Sequence, residues 1–266
     1  MVWMNISLIV PILLGWLGGA FVNYIADVLP RTRILGRPDC LHCESPFSWA
    51  DYLTLRACRS CGKRRPIRAW LVQILTVASF AYFWLFPSKL VGIPLGLIIL
   101  VYFGVVTVID LEHRLILHPT SIAGAVIGLI SGTLIHSREN GLLIGVGKSL
   151  LGGLFGYGVM FIFHYFARYF TRRRARKLQE AGKEDDGEDA LGDADVILLG
   201  VLGLMFGWPL IWDVLLLGIV LGGVFSILIV IVQLLQRRSA SEALMTPIPY
   251  GPYFIASAFY FLFLFL

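Results

Sequence analysis

Charge is what this sequence has least of. Asp, Glu, Lys and Arg make up only 15% of its 266 residues, while 58% are hydrophobic, and mean hydropathy is +0.80. A soluble globular domain carries about a quarter charged residues. So much apolar material cannot fit inside one soluble core, and a bilayer is its natural solvent. The first apolar run lacks a basic n-region, and no small-residue cleavage site follows it, so Met1 to Leu29 reads as a retained span and not as a signal peptide. No fixed-period repeat is visible, and no half-length alternating runs of the kind a membrane β-barrel needs. The net charge of +5 and pI near 9.1 come from basic residues beside apolar spans. That is the loop bias of a membrane protein and excludes nucleic acid as the expected partner.

A helical span needs roughly 20 apolar residues. Eight candidates lie at about 6–28, 69–86, 91–109, 119–135, 143–168, 195–208, 209–235 and 250–266, the sixth and seventh parted near Trp208-Pro209. The expected fold is an all-α polytopic membrane protein with about eight transmembrane helices and a small cytoplasmic zinc-binding loop domain. Its divisions are a first helix at 1–29, the loop at 30–68, and a seven-helix membrane region at 69–266 with a charged cytoplasmic loop at 170–194. Eight spans place both termini on one side. With the termini outside, the loops 30–68, 110–118, 168–194 and 236–249 are cytoplasmic and hold 19 of the 22 Lys and Arg residues, as the positive-inside rule requires. Gly152 and Gly156, Gly203 and Gly207, and Gly218 and Gly222 are spaced to let helices approach closely.

The chain has four cysteines, all in the loop at 30–68. Cys40-Leu41-His42-Cys43 is followed, after fourteen residues, by Cys58-Arg59-Ser60-Cys61. Paired C-x-x-C knuckles at this spacing predict a zinc site. Four thiolates close the tetrahedron, so the metal is structural. A cytoplasmic loop keeps its thiols reduced, which argues against disulfides. The loop has little apolar material of its own, so a metal is a reasonable staple for it.

Carboxylates within apolar spans are costly and point to function. Asp110 ends the third span and Asp195 opens the sixth. Two further crossings separate them, so parity puts both on the cytoplasmic face. Two close carboxylates share a proton; one then deprotonates a water while the other hydrogen-bonds or protonates a scissile carbonyl. Asp193 is a rival for Asp195 but sits deeper in the charged loop. Asp27 and Asp213 have no partner identifiable from sequence, and Glu112, two residues past Asp110, reads as solvated.

The whole pattern resembles the type IV prepilin peptidases, aspartyl proteases of the GxGD type. Gly19-Ala20-Phe21-Val22-Asn23 with Leu29-Pro30 is similar to the family's first-span signature. Pro38-Asp39-Cys40-Leu41-His42-Cys43 and Cys58-Arg59-Ser60-Cys61-Gly62 resemble its zinc loop. Ile109-Asp110-Leu111-Glu112-His113-Arg114, and Asp195-Val196-Ile197-Leu198-Leu199 with Gly207-Trp208, resemble the segments carrying its two catalytic aspartates. Ile248-Pro249-Tyr250-Gly251-Pro252 is similar to the start of its last span. The resemblance implies an endopeptidase of the bacterial inner membrane that cuts the cationic N-terminal leader of type IV prepilins or type II secretion pseudopilins. It also implies N-methylation of the new N-terminus with S-adenosylmethionine, as many members perform. The chain departs from the family pattern at Ala194 (glycine), Ile197 (often lysine), Gln73 (an acidic residue) and Val28 (arginine); the last two bear on methyl transfer.

The expected partners are therefore a prepilin or pseudopilin and membrane lipid. The acidic run from Glu184 to Asp189 has the charge to steer a cationic leader. A proton-coupled transporter using both aspartates is the rival from another class. Transporters place such residues near the bilayer midplane and show internal repeats, and this sequence does neither.

Overall fold

The computed structural model describes residues 2–180, 193–235 and 250–265, and among these the chain is helical with no strand. The eight apolar segments appear as eight helices. Six are long and apolar enough to cross a membrane, and two are shorter, at Ala194–Phe206 and Gly251–Phe265. The chain divides by its contacts into two compact units, Met1–His113 and Arg114–Phe265.

The first unit holds α1 (Val2–Thr32), the five-residue α2 (Trp49–Leu53), α3 (Ile67–Leu85) and α4 (Ile93–His113). Helix α2 begins at a capping serine. The Ser48 hydroxyl accepts the Asp51 backbone N–H at 3.2 Å and donates to the Asp51 carboxylate at 2.7 Å, capping the first turn. Helix α3 begins after Pro66, whose φ of −61° and ψ of 153° keep it extended. Helices α1 and α3 pack along glycines: a methyl group on Gly15 would lie 2.8 Å from the Val77 backbone. Two amides join them. Asn23 Nδ2 donates to the Ala69 carbonyl at 3.0 Å, and Gln73 Nε2 donates to the Trp16 carbonyl.

The second unit holds α5 (His118–Asn140), α6 (Leu142–Glu180), α7 (Asp193–Phe206), α8 (Ile211–Leu235) and α9 (Gly251–Phe259), which runs on as a π-helical turn over Tyr260–Phe265. Helix α7 is its centre. Val196, Leu198, Leu199, Val201, Leu202, Met205 and Phe206 are all buried, as expected of a helix apolar on every side. The expected break between the sixth and seventh spans falls at residues 207–210.

Helix α6 differs from expectation. The basic residues after position 170 belong to one 39-residue helix ending at Glu180, and not to a loop. The membrane-compatible part stops at Tyr169, but Arg, Lys, Ala, Leu, Gln and Glu are strong helix formers and the backbone ladder simply continues. The acidic run from Glu184 to Asp189 lies outside the described residues, as do Ile248 and Pro249.

The paired glycines are packing devices. Gly152 on α6 lies against Gly203 and Gly207, Gly156 against Leu199, and Gly218 on α8 against the Phe254 ring of α9. A methyl group added to Gly152 would come within 2.6 Å of the Gly207 backbone, and backbone cannot yield as a flexible side chain can. Gly152→Ala or Gly203→Ala is expected to destabilise the second unit by about 2 kcal/mol, read as a lowered thermal midpoint in detergent. Gly223→Ala, with nothing within 4 Å of the added carbon, is the matched control and should not lower the midpoint, since alanine is the better helix former.

Candidate functional site

The four cysteines converge. Their sulfur atoms all lie within 4.8 Å of one another, and none is in a disulfide. Cys40 Sγ is 3.7 Å from Cys61 Sγ, and Cys43 Sγ is 3.6 Å from Cys58 Sγ. A disulfide would need about 2.05 Å. Four thiolates at about 2.3 Å from a zinc ion form a tetrahedron with edges of about 3.8 Å, so the residues present fit that metal.

The two knuckles share one backbone design. The Cys40 carbonyl accepts from the Glu44 N–H at 3.0 Å, and its N–H donates to the Ser45 carbonyl at 2.9 Å. The Cys58 carbonyl accepts from the Gly62 N–H at 2.9 Å, and its N–H donates to the Lys63 carbonyl at 3.0 Å. In each, the fourth residue after the first cysteine is left-handed: Glu44 with φ 55° and Gly62 with φ 70°. Ser45 serves both knuckles, its hydroxyl 3.0 Å from Cys43 Sγ and 3.4 Å from Cys58 Sγ. Hydrogen bonds from that hydroxyl, and then from the Cys61 backbone N–H, hold the Cys58 thiol down at about 5; the same hydroxyl and the Ser45 N–H lower Cys43. Both are thereby biased toward the thiolate, the form that ligates metal. Arg59 beside Asp51 holds that carboxyl below the usual carboxylate range.

Asp110 and Asp195 are both buried, 4% and 7% exposed. Asp110 belongs to the first unit. It stands on α4 among Val106 and Ile109, and α4 runs three residues beyond it. Asp195 belongs to the second unit, as the third residue of α7, where a helix N-terminus favours negative charge. The two residues after it, Val196 and Ile197, wall a cavity of about 260 Å³ whose other side is Tyr157, Phe161, His164, Tyr165 and Arg168 of α6. The Asp193 side chain lies outside the described residues.

Sequence reasoning missed the partners of Asp27. Its carboxylate, buried on α1, accepts from the Tyr52 hydroxyl at 2.6 Å, from Arg65 Nη2 at 2.9 Å and from Arg68 Nη2. The Arg65 guanidinium also lies over the Tyr52 ring, 4.2 Å from its centroid. Burial pushes the Tyr52 phenol up, and the Asp27 carboxylate adds to the shift, so the hydroxyl stays protonated as donor. Glu112, expected to be solvated, pairs with Arg68 Nη1 at 2.8 Å. A carboxylate inside an apolar span was the available signal for Asp27. Its partners come from the loop and the first turn of α3, where a sequence shows only scattered arginines.

Residues 97–227 match the model of the type IV leader peptidase family, and residues 13–86 match that of the bacterial peptidase A24 N-terminal domain. The chain belongs to the type IV leader peptidase family. Within it, the chain is similar to the prepilin leader peptidase/N-methyltransferase of Pectobacterium carotovorum subsp. carotovorum, with 24% identity over 240 residues, covering 86% of this chain and 75% of that protein. It is also similar to the protein of the same name from Pseudomonas aeruginosa PAO1, with 26% identity over 281 residues, covering 91% of this chain and 85% of the relative. No solved structure matches the chain. As a member of this peptidase family with six membrane-length helices, the chain is a multi-pass membrane protease. Both aspartates fall in the segment matched by the peptidase model, and all four cysteines in that matched by the N-terminal model.

The buried ion cluster gives a stability prediction. Removing one member of a buried pair strands its partner's charge and costs about 3–5 kcal/mol. Asp27→Ala is expected to lose about that much, measured as a fall in thermal midpoint. Asp51→Ala, whose Arg59 partner has a side chain 76% exposed, should lose far less, because solvent takes over from the lost partner.

Proposed function

We propose that this peptidase is an aspartyl endopeptidase in which Asp110 and Asp195 act as the catalytic pair. Its substrates would be the N-terminal leaders of type IV prepilins or type II secretion pseudopilins, cut at the cytoplasmic face of a bacterial inner membrane. The carrying observation is that each is a buried carboxylate near the end of an apolar helix, within the segment that matches the peptidase family. One carboxylate takes a proton from water as the oxygen attacks the scissile carbonyl. The other, protonated, donates to the carbonyl oxygen, and a proton then passes to the leaving amine as the C–N bond breaks. The loop charges support an orientation with both termini outside. The divisions at 1–29, 30–68 and 69–266 then correspond to the first span, a metal-stapled loop and the remaining membrane region.

The same reading makes Cys40, Cys43, Cys58 and Cys61 the ligands of a structural zinc ion. Bound there, zinc would supply folding energy to the loop and no chemistry to the peptide bond. The relatives' name also carries N-methyltransferase, which implies S-adenosylmethionine. At the family's acidic position this chain has Gln73, buried and bonded to the Trp16 carbonyl. The described residues identify no site for that cofactor.

Asp110→Asn and Asp195→Asn, assayed on a prepilin-like substrate, are each expected to lower kcat by about a thousandfold or more. The double variant should be little worse than either alone, because the pair acts as a unit. A well-folded single variant with near-normal turnover would remove that residue from the pair. Elemental analysis of carefully purified protein should find about one zinc per chain. A Cys→Ser change at any of the four should lower occupancy and open the loop to proteolysis, while the spans still insert.

A further inference from the structure

We infer that Arg68 is a positioning residue for Asp110, acting through Glu112; the inference rests on the reading of Asp110 as catalytic. The last turn of α4 needs such a tie. Residues 111–115 are all exposed, and the helix ends at His113, just before Arg114, a non-glycine residue with φ 50°. Helix ends fray unless something holds them. The ion pair from Glu112 to Arg68 at 2.8 Å ties this turn to the start of α3.

Arg68 is itself anchored. One terminal nitrogen of its guanidinium holds Glu112 and the other holds Asp27. Asp27 is fixed in turn by Arg65 at 2.9 Å and Tyr52 at 2.6 Å, both from the cysteine loop. A planar guanidinium suits this role because its two terminal nitrogens can each serve a different carboxylate in fixed geometry. Lysine keeps the charge but has no such fork. The chain of contacts therefore runs from the metal-binding loop, through Asp27 and Arg68, to the residue two places after Asp110. A carboxylate that must meet a water and a carbonyl loses much of its effect when displaced by an ångström, on the order of a hundredfold.

The test compares Arg68→Gln, Arg68→Lys, Glu112→Gln and the Arg68→Gln/Glu112→Gln double variant with Asp110→Asn, all as full chains in detergent or lipid. Arg68→Gln and Glu112→Gln should each lower kcat by roughly ten- to a hundredfold with KM changed less than about twofold. The double variant should be no slower than the slower single, as expected for two members of one contact. Arg68→Lys should recover only part of the loss. The two single variants alter local charge in opposite senses. An effect carried by charge would move the pH–rate profile in opposite directions, whereas an effect of position lowers the plateau in both. Glu112→Gln, isosteric and on an exposed turn, keeps the test open should Arg68→Gln fail to fold. Normal kcat in the folded Arg68 and Glu112 variants, with Asp110→Asn inactive, overturns the positioning role alone. A rise in KM without loss of kcat also overturns it, since Arg68 would then be a substrate contact. An active Asp110→Asn would instead overturn the catalytic assignment beneath it.

Discussion

A carboxylate held inside an apolar helix must be paired, because its desolvation is too costly to leave open. Asp27 meets that requirement with three donors, and its solution organises the first unit. Two come from the segment around the cysteine knuckles, Tyr52 and Arg65, and one from α3, Arg68. The loop between α1 and α3 is therefore anchored on the first helix. Such a cluster is weak evidence of net stability, since well-packed apolar residues of equal volume can do as well. What it supplies is direction: hydrogen bonds to a single carboxylate fix the angle of each partner in a way that lipid-like contacts cannot.

The loop also illustrates how a short segment gains order with little apolar mass. Its small core is made of Cys40, Phe47, Tyr52 and Cys58, with Tyr24 of α1 packed against it. Two of those four are thiols, so the predicted metal ligands and the hydrophobic core are partly the same atoms. The Trp16 indole donates to the Leu53 carbonyl at 2.9 Å, and the Tyr24 hydroxyl to the Gly36 carbonyl at 2.7 Å. Aromatic side chains of α1 thus close the polar backbone of the loop, as is common where one end of a ring is apolar and the other meets polar groups.

The sequence made some of this legible and not the rest, for physical reasons. Spacing carries information along the chain. The two C-x-x-C pairs gave the sulfur cluster, and the long apolar runs gave eight helices, because both patterns are local. The glycine pairs of α6 and α7 were visible as close-approach signals, although only the fold shows that Gly152 faces Gly203. The Asp27 cluster was not legible, because its three donors stand 25 to 41 residues after Asp27 and no period links them to it. Glu112 is exposed, as expected, but its partner Arg68 was not legible for the same reason, standing 44 residues earlier. The continuation of α6 to Glu180 was missed because a charge-rich run was read as loop, when its residue types favour helix.

The helices that carry the two aspartates are packed differently around them. Asp195 opens a helix buried almost all round, with Val196, Leu198 and Leu199 packed directly after it, so the α7 backbone cannot shift without disturbing the core of the second unit. Interiors packed at that density resist small displacements. Asp110 is buried too, but the chain leaves the packed region straight after it, with every residue from 111 to 115 exposed. Packing holds α4 from one side of Asp110 only. A directional contact beyond it helps to fix the helix end, and the guanidinium of Arg68, tied to a buried carboxylate, is placed to provide one.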